Sequence, residues 1–100
     1  MSRRLAIVVT PRAFDDLSQI LDYLVARSPQ GADAVRSAIN ATLEQLQDFP
    51  LTGRNRPKLG IRSIGVARYP YTIYHQVHED HVQIVHVRDD RRKPLAPDEV

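Results

Sequence analysis

The sequence predicts an α+β domain of order β-α-α-β-β-β, with a helical hairpin packed on a largely antiparallel sheet. Three observations carry this expectation. An apolar, β-branched run, Leu5-Ala6-Ile7-Val8-Val9, opens the chain. Two Pro-initiated segments with apolar residues at spacings of three and four follow it. Two stretches rich in Tyr, Ile and Val, 71–78 and 81–88, then flank Glu79-Asp80.

Each element has a local physical reason. Leu5 to Val9 is too short for a membrane span or a signal-peptide core and reads as a strand. Thr10-Pro11 is a helix start, with threonine as N-cap and proline where its missing N–H is harmless. Phe14, Leu17, Ile20, Leu21 and Leu24 form the apolar stripe of this first helix, which is expected to end near Arg27. Asp15, Asp16 and Asp22 are assigned to its solvated surface. Ser28-Pro29 repeats the same device, and Val35, Ile39, Leu43 and Leu46, padded by Ala32 and Ala38, form the second stripe. Pro50 and Gly53 end that helix. So short a link makes the pair an antiparallel hairpin.

The stretch 51–60 is polar, basic and rich in Pro and Gly, and reads as a loop. Ile61 to Arg68 is a candidate strand, with Gly65 marking a bulge or a close backbone approach. Tyr69-Pro70 makes a turn, and 71–78 and 81–88 form a hairpin. The tail, 89–100, is mostly polar with two prolines and reads as partly mobile. No repeat or low-complexity stretch suggests more than one domain in residues 1–100.

Composition narrows the function. The chain is 42% hydrophobic and 26% charged, a globular balance. It has no cysteine, so disulfides and thiolate metal sites are excluded, and a cytoplasmic location is expected. Residues 1–50 carry net charge −1 and residues 51–100 carry +3. Arg54, Arg56, Lys58, Arg62 and Arg68 come without an intervening acid, and Arg88, Arg91, Arg92 and Lys93 cluster at the end. That pattern favours a polyanionic or acidic protein partner; a plain solvated surface is the alternative.

Catalytic and metal chemistry find little support. His75, His78, His81 and His86 lie close in sequence, but a hairpin turning at Glu79-Asp80 sets only His78 opposite His81. Two imidazoles fall short of the three or four ligands of a closed site, so no metal and no cofactor are expected. No serine sits in a Gly-x-Ser-x-Gly elbow, and no Gly-rich phosphate loop is present. Asp15-Asp16 and Asp89-Asp90 are neighbours that do not face one another, and read as solvated surface rather than an acid–base pair. Tyr69, Tyr71 and Tyr74 lie among the arginines and could stack on bases, or pack as cross-strand pairs with at least one pointing inward. Tyr23 and Val25 extend the apolar surface of the first helix, which leaves core packing and a partner-docking groove both open.

Taken together, these pieces resemble the RelE/ParE superfamily of bacterial toxin–antitoxin modules, the ParE branch in particular. The resemblance rests on Ala13-x-x-Asp16-Leu17-x-x-Ile20 with Tyr23, then Leu46, Pro50 and Gly53. It continues through Arg68-Tyr69-Pro70-Tyr71-Thr72-Ile73-Tyr74 and Ile84-Val85-His86-Val87-Arg88 to Arg91-Arg92. It implies a toxin neutralised by a cognate, ParD-like antitoxin that contacts DNA, with DNA gyrase as target and no membrane association. RelE-like relatives instead cleave mRNA on the ribosome. That branch commonly has an arginine where this chain has Thr72, and a tyrosine near the C-terminus where residues 89–100 have none. The resemblance therefore implies a gyrase inhibitor without catalytic residues; an mRNA endonuclease and a non-toxic antitoxin-binding relative are the alternatives. Under it, Arg68, Arg88, Arg91, Arg92 and Lys93 face the target. Phe14, Leu17, Leu21, Leu24, Leu43 and Leu46 of the hairpin meet the antitoxin.

Overall fold

The computed structural model describes residues 4–91. Strand β1 (Ala6–Val9) leads into α1 (Pro11–Arg27) and α2 (Pro29–Asp48). Four strands follow: β2 (Arg54–Arg56), β3 (Ile61–Gly65), β4 (Tyr71–Val77) and β5 (His81–Asp89). They form one sheet in the order β1-β5-β4-β3-β2, antiparallel throughout except that β1 runs parallel to β5. Neither helix is long and apolar enough to cross a membrane.

Both helix starts form as the sequence requires. The Thr10 hydroxyl accepts the Ala13 N–H at 3.1 Å and caps α1. Ser28 serves both helices at once. Its N–H donates to the Leu24 carbonyl at 2.7 Å, while its Oγ accepts the Gly31 N–H at 3.0 Å. One residue thus closes α1 and opens α2, which forces the chain straight back on itself. Gln47 fastens the far end of the hairpin to β1: its carbonyl accepts the Leu5 N–H and its side-chain amide donates to the Leu5 carbonyl.

One face of the sheet carries Ile73, Val82, Ile84 and Val87 against Ala13, Val35, Ile39 and Leu46 of the helices, and this is the core. Ala13 and Ala32 are fully buried, and their small side chains let helix backbones come close to their neighbours. The hairpin β4–β5 turns at Glu79-Asp80, with the His78 N–H donating to the His81 carbonyl at 2.9 Å.

Two expectations need correction. The stretch 51–60 is not all loop. Arg54-Asn55-Arg56 pairs with β3 as an edge strand, held by backbone bonds that leave no hydrophobic pattern to read. Nor is Gly65 a bulge or a close approach, since a Cβ there would meet open space. The irregularity lies elsewhere: Tyr74 pairs with His86 but His75 pairs with Ile84, so Val85 is an extra residue on β5.

Gly53 is the glycine the fold requires. Its φ is 98°, and a Cβ would lie 2.4 Å from the Ser63 carbonyl oxygen. Gly53→Ala is expected to cost about 2–3 kcal/mol, from the strained φ and the clash together. Urea unfolding of the variant measures it, and a loss under about 0.5 kcal/mol would mean that β2 can shift away without penalty.

Candidate functional site

A concavity opens beside the second half of β5. β1 ends at Val9 opposite Ile84, and the Thr10 N–H makes the last bond to the Ile84 carbonyl. Beyond that point β5 continues through Val85–Asp89 without β1 beside it, while α1 crosses over the uncovered edge. The result is a groove of about 650 Å³ between α1 and the second half of β5.

Asp16 pins the floor of this groove. One of its carboxylate oxygens accepts from His86 Nδ1 at 2.6 Å and from the Val87 backbone N–H at 3.0 Å. A helix side chain thereby satisfies a strand amide that lost its ladder partner when β1 ended. His86 stacks on Tyr74, its cross-strand partner, at 5.5 Å between ring centroids, and its Nε2 is buried without a hydrogen-bond partner. Asp16 is therefore a structural clamp, not the solvated residue its charge suggested. Asp89 and Asp90 are engaged as well. Asp89 binds the Arg91 guanidinium at 2.7 and 2.9 Å, which holds Arg91 further above its already high pKa. Thr72 Oγ1 donates to Asp90 at 2.6 Å. Asp15, which accepts from Gln19, and Asp22 keep their expected exposed positions on α1.

The expected target-facing cations share one end of the sheet. Arg68 lies in the β3–β4 turn, and Arg88 and Arg91 lie at the end of β5. The Asp90 N–H joins the two segments by donating to the Pro70 carbonyl at 2.7 Å. Arg68 has φ 74°, the left-handed region that a side chain with a Cβ rarely adopts. Arg92 and Lys93 lie outside the described residues.

The hairpin residues divide by exposure. Leu46 is fully buried in the core, whereas Leu17, Leu21, Leu24 and Leu43 pack against it with part of their surface open. Phe14 is 66% exposed, and Phe49 and Leu51 just after α2 are equally open. Tyr23 is half-exposed on the groove wall, with the Arg27 guanidinium 3.8 Å above its ring.

Tyr71 and Tyr74 are both buried. Tyr71 packs into the core, and burial raises its phenol pKa. Tyr74 lies on the opposite sheet face, yet Arg56 reaches over it, 5.9 Å from the ring centroid, while donating to Ser63 Oγ. Neither ring offers a face for base stacking. Nothing in the spacing of the sequence revealed the Asp16–His86 pair, whose members come from α1 and β5.

The histidines scatter. His78 and His81 stack at 4.5 Å across the hairpin tip, and His86 serves the clamp. Among the described residues no group of three or more His, Cys, Asp or Glu could hold a metal ion. His75 is fully buried, its Nε2–H donating to the Pro50 carbonyl at 3.2 Å while Nδ1 has no partner. Burial pushes its pKa below the usual imidazole value. The folded state thus binds fewer protons than the unfolded state below the unfolded pKa, so this contribution to stability is complete above about pH 6.5 and is lost as the pH falls. The melting temperature is expected to drop between pH 7.5 and 5.5, and His75→Gln is expected to flatten part of that drop. An identical pH profile in the variant would exclude His75 as the cause.

Comparison with known proteins agrees with this architecture. The family described as ParE toxin of the type II toxin–antitoxin system, parDE, matches residues 7–94. Among solved structures, the chromosomal ParDE TA system from P. aeruginosa contains a chain with TM-score 0.72 and 25% sequence identity; the match covers 88% of this chain and 98% of that one. No curated protein matches. The match spans the clamp, the groove and the basic end of the sheet, and the chain belongs to the ParE toxin family of type II toxin–antitoxin systems.

Proposed function

We propose that this chain is a toxin that inhibits DNA gyrase and is held inactive by a cognate ParD-like antitoxin. The observation that carries the reading, beside family membership, is the basic end of the sheet. Arg68, Arg88 and Arg91 sit together there on two segments tied by a backbone bond. Arg92 and Lys93 would add to the same charge. Such an end attracts an acidic surface or a phosphate backbone and steers its approach. Thr72 sits opposite Arg88 and gives its hydroxyl to Asp90, so it orders the chain after β5 rather than presenting charge.

The antitoxin reading rests on the open apolar surface of the hairpin, Phe14 with Leu17, Leu21, Leu24 and Leu43, which an amphipathic segment could cover. Leu46 supports that surface from inside the core. DNA contact then belongs to the antitoxin, and the toxin works in the cytoplasm, where gyrase is.

Purified chain should be added to gyrase supercoiling reactions and, separately, to translating ribosomes. Loss of supercoiling or trapped double-strand breaks is the expected result. Ribosome-dependent mRNA cuts would overturn the gyrase target in favour of endonuclease action. Silence in both, with antitoxin binding retained, would make the chain a non-toxic relative.

A further inference from the structure

We propose that the outer face of the β2–β3 hairpin is a sequence-independent seat for duplex DNA, bound through its phosphate backbone. The contact is additional to the antitoxin's own contact with DNA, and it does not depend on which enzyme the toxin inhibits.

The distribution of charge carries the inference. Residues 49–78 contain Arg54, Arg56, Lys58, Arg62 and Arg68 and not one Asp or Glu. Sheet pairing decides where these cations point. Arg54 lies opposite Ser63 and Ser63 opposite Tyr74, so Arg54 and Arg56 project from the face that the helices leave bare. Lys58 sits in the turn between the two strands, and Arg68 in the turn after β3. Arg62 turns the other way and is occupied by the Leu51 and Gly53 carbonyls.

The four outer cations are available. Arg54, Lys58 and Arg68 are exposed, and among the described residues none of their side chains has a hydrogen-bond or ion-pair partner. Arg56 gives only its Nε–H, to Ser63 Oγ at 2.9 Å, and keeps both Nη groups for a partner. The cations run in one line, Lys58, Arg56, Arg54, Arg68, about 20 Å long at roughly 3.3 Å per residue. Arg54 and Arg56 are two residues apart on one strand, about 6.6 Å, a stride comparable to that between neighbouring phosphates of one DNA strand.

What the hairpin lacks narrows the partner. An acidic protein would need an apolar or aromatic anchor among the cations, and Arg54-Asn55-Arg56-Pro57-Lys58 offers none. A single strand would need exposed rings on which bases stack, and Tyr71 and Tyr74 are buried. Phosphate oxygens require only positive charge and N–H donors. The arginines supply both, and as an edge strand β2 also turns unpaired backbone N–H groups outward. Because β3 is itself paired to β4, the hairpin cannot enter the major groove as a free ribbon, so the contact carries no base readout. A toxin held on DNA in this way reaches DNA-bound targets by sliding along the duplex.

The probe is a short fluorescein-labelled duplex, titrated with the full chain at several salt concentrations and followed by fluorescence anisotropy. Four phosphate contacts give an expected slope of log K against log salt of about −3 to −4, so affinity should fall on the order of a hundredfold between about 50 and 200 mM salt. Arg54→Ala and Lys58→Ala, both at exposed positions, should each flatten the slope by about one unit and weaken binding several-fold. Arg36→Ala on α2, where the arginine is already paired with Asp33, should leave affinity within about twofold. A duplex of unrelated sequence should bind within about twofold as well. An unchanged slope in both hairpin variants, tighter binding of a single-stranded oligodeoxythymidine, or equally tight binding of polyglutamate would each overturn the proposal. No gyrase is present in this titration. Salt-dependent DNA binding with unimpaired supercoiling would count against the gyrase reading alone, and gyrase inhibition without DNA binding would count against this inference alone.

Discussion

Replacing Asp16 with alanine is expected to lower the unfolding free energy by about 3 kcal/mol. The carboxylate holds His86 Nδ1 at 2.6 Å and the Val87 N–H at 3.0 Å, and its side chain keeps 21% of its surface open. Hydrogen bonds to a charged acceptor contribute about 1.5–3 kcal/mol each when buried, and partial exposure reduces that here. The loss is aggravated by what remains. His86 Nε2 already lacks a partner, so the variant leaves a buried imidazole with neither nitrogen bonded and a strand amide unpaired. Asp16→Asn keeps an acceptor oxygen and should recover about half of the loss. Urea unfolding gives the energies, and amide exchange at Val87 reports the local effect. An alanine cost below about 1 kcal/mol, with Val87 still protected, would show that water replaces the carboxylate and that the clamp does not fix the groove.

That clamp also marks where sequence reasoning stops. The helix boundaries were legible because capping is a local matter. Thr10-Pro11 and Ser28-Pro29 each place an acceptor and a proline where a helix must begin, and both helices start there. The hairpin β4–β5 was legible because side-chain alternation and a break at Glu79-Asp80 are local too. Asp16 was misread because its partners are in β5, and no pattern within α1 distinguishes a clamp from a solvated carboxylate. The extra residue at Val85 was invisible for the same reason, since a bulge is defined by the partner strand. Arg54-Asn55-Arg56 gave no strand signal because an edge strand with polar side chains is held by its backbone alone. Tyr74 faces away from the core yet is buried, stacked on His86 with Arg56 reaching over its ring, and side-chain reach of that kind is not encoded in periodicity. The basic end of the sheet was legible as charge. That Arg68 joins Arg88 and Arg91 depended on the Asp90–Pro70 bond.

Arg88→Ala combined with Arg91→Ala is expected to reduce gyrase inhibition by on the order of a hundredfold, about tenfold per arginine if each acts as an anchoring contact. The Arg91 side chain is positioned before any target arrives by two bonds to Asp89, and the Arg88 backbone is fixed opposite Thr72 in the β4–β5 ladder. A pre-ordered cation loses less freedom on binding, so its removal shows in potency more than in stability. Arg68 offers a sharper discrimination. Its φ of 74° favours glycine, so Arg68→Gly should stabilise the fold by roughly 0.5–1 kcal/mol while weakening inhibition. A residue kept only for structure cannot behave that way, whereas a side chain held at a strained position for contact must. Supercoiling titrations and urea unfolding on the same preparations separate the two effects. Unchanged inhibition by both variants would remove this end of the sheet from the target interface. Inhibition lost in parallel with stability would instead make the arginines structural.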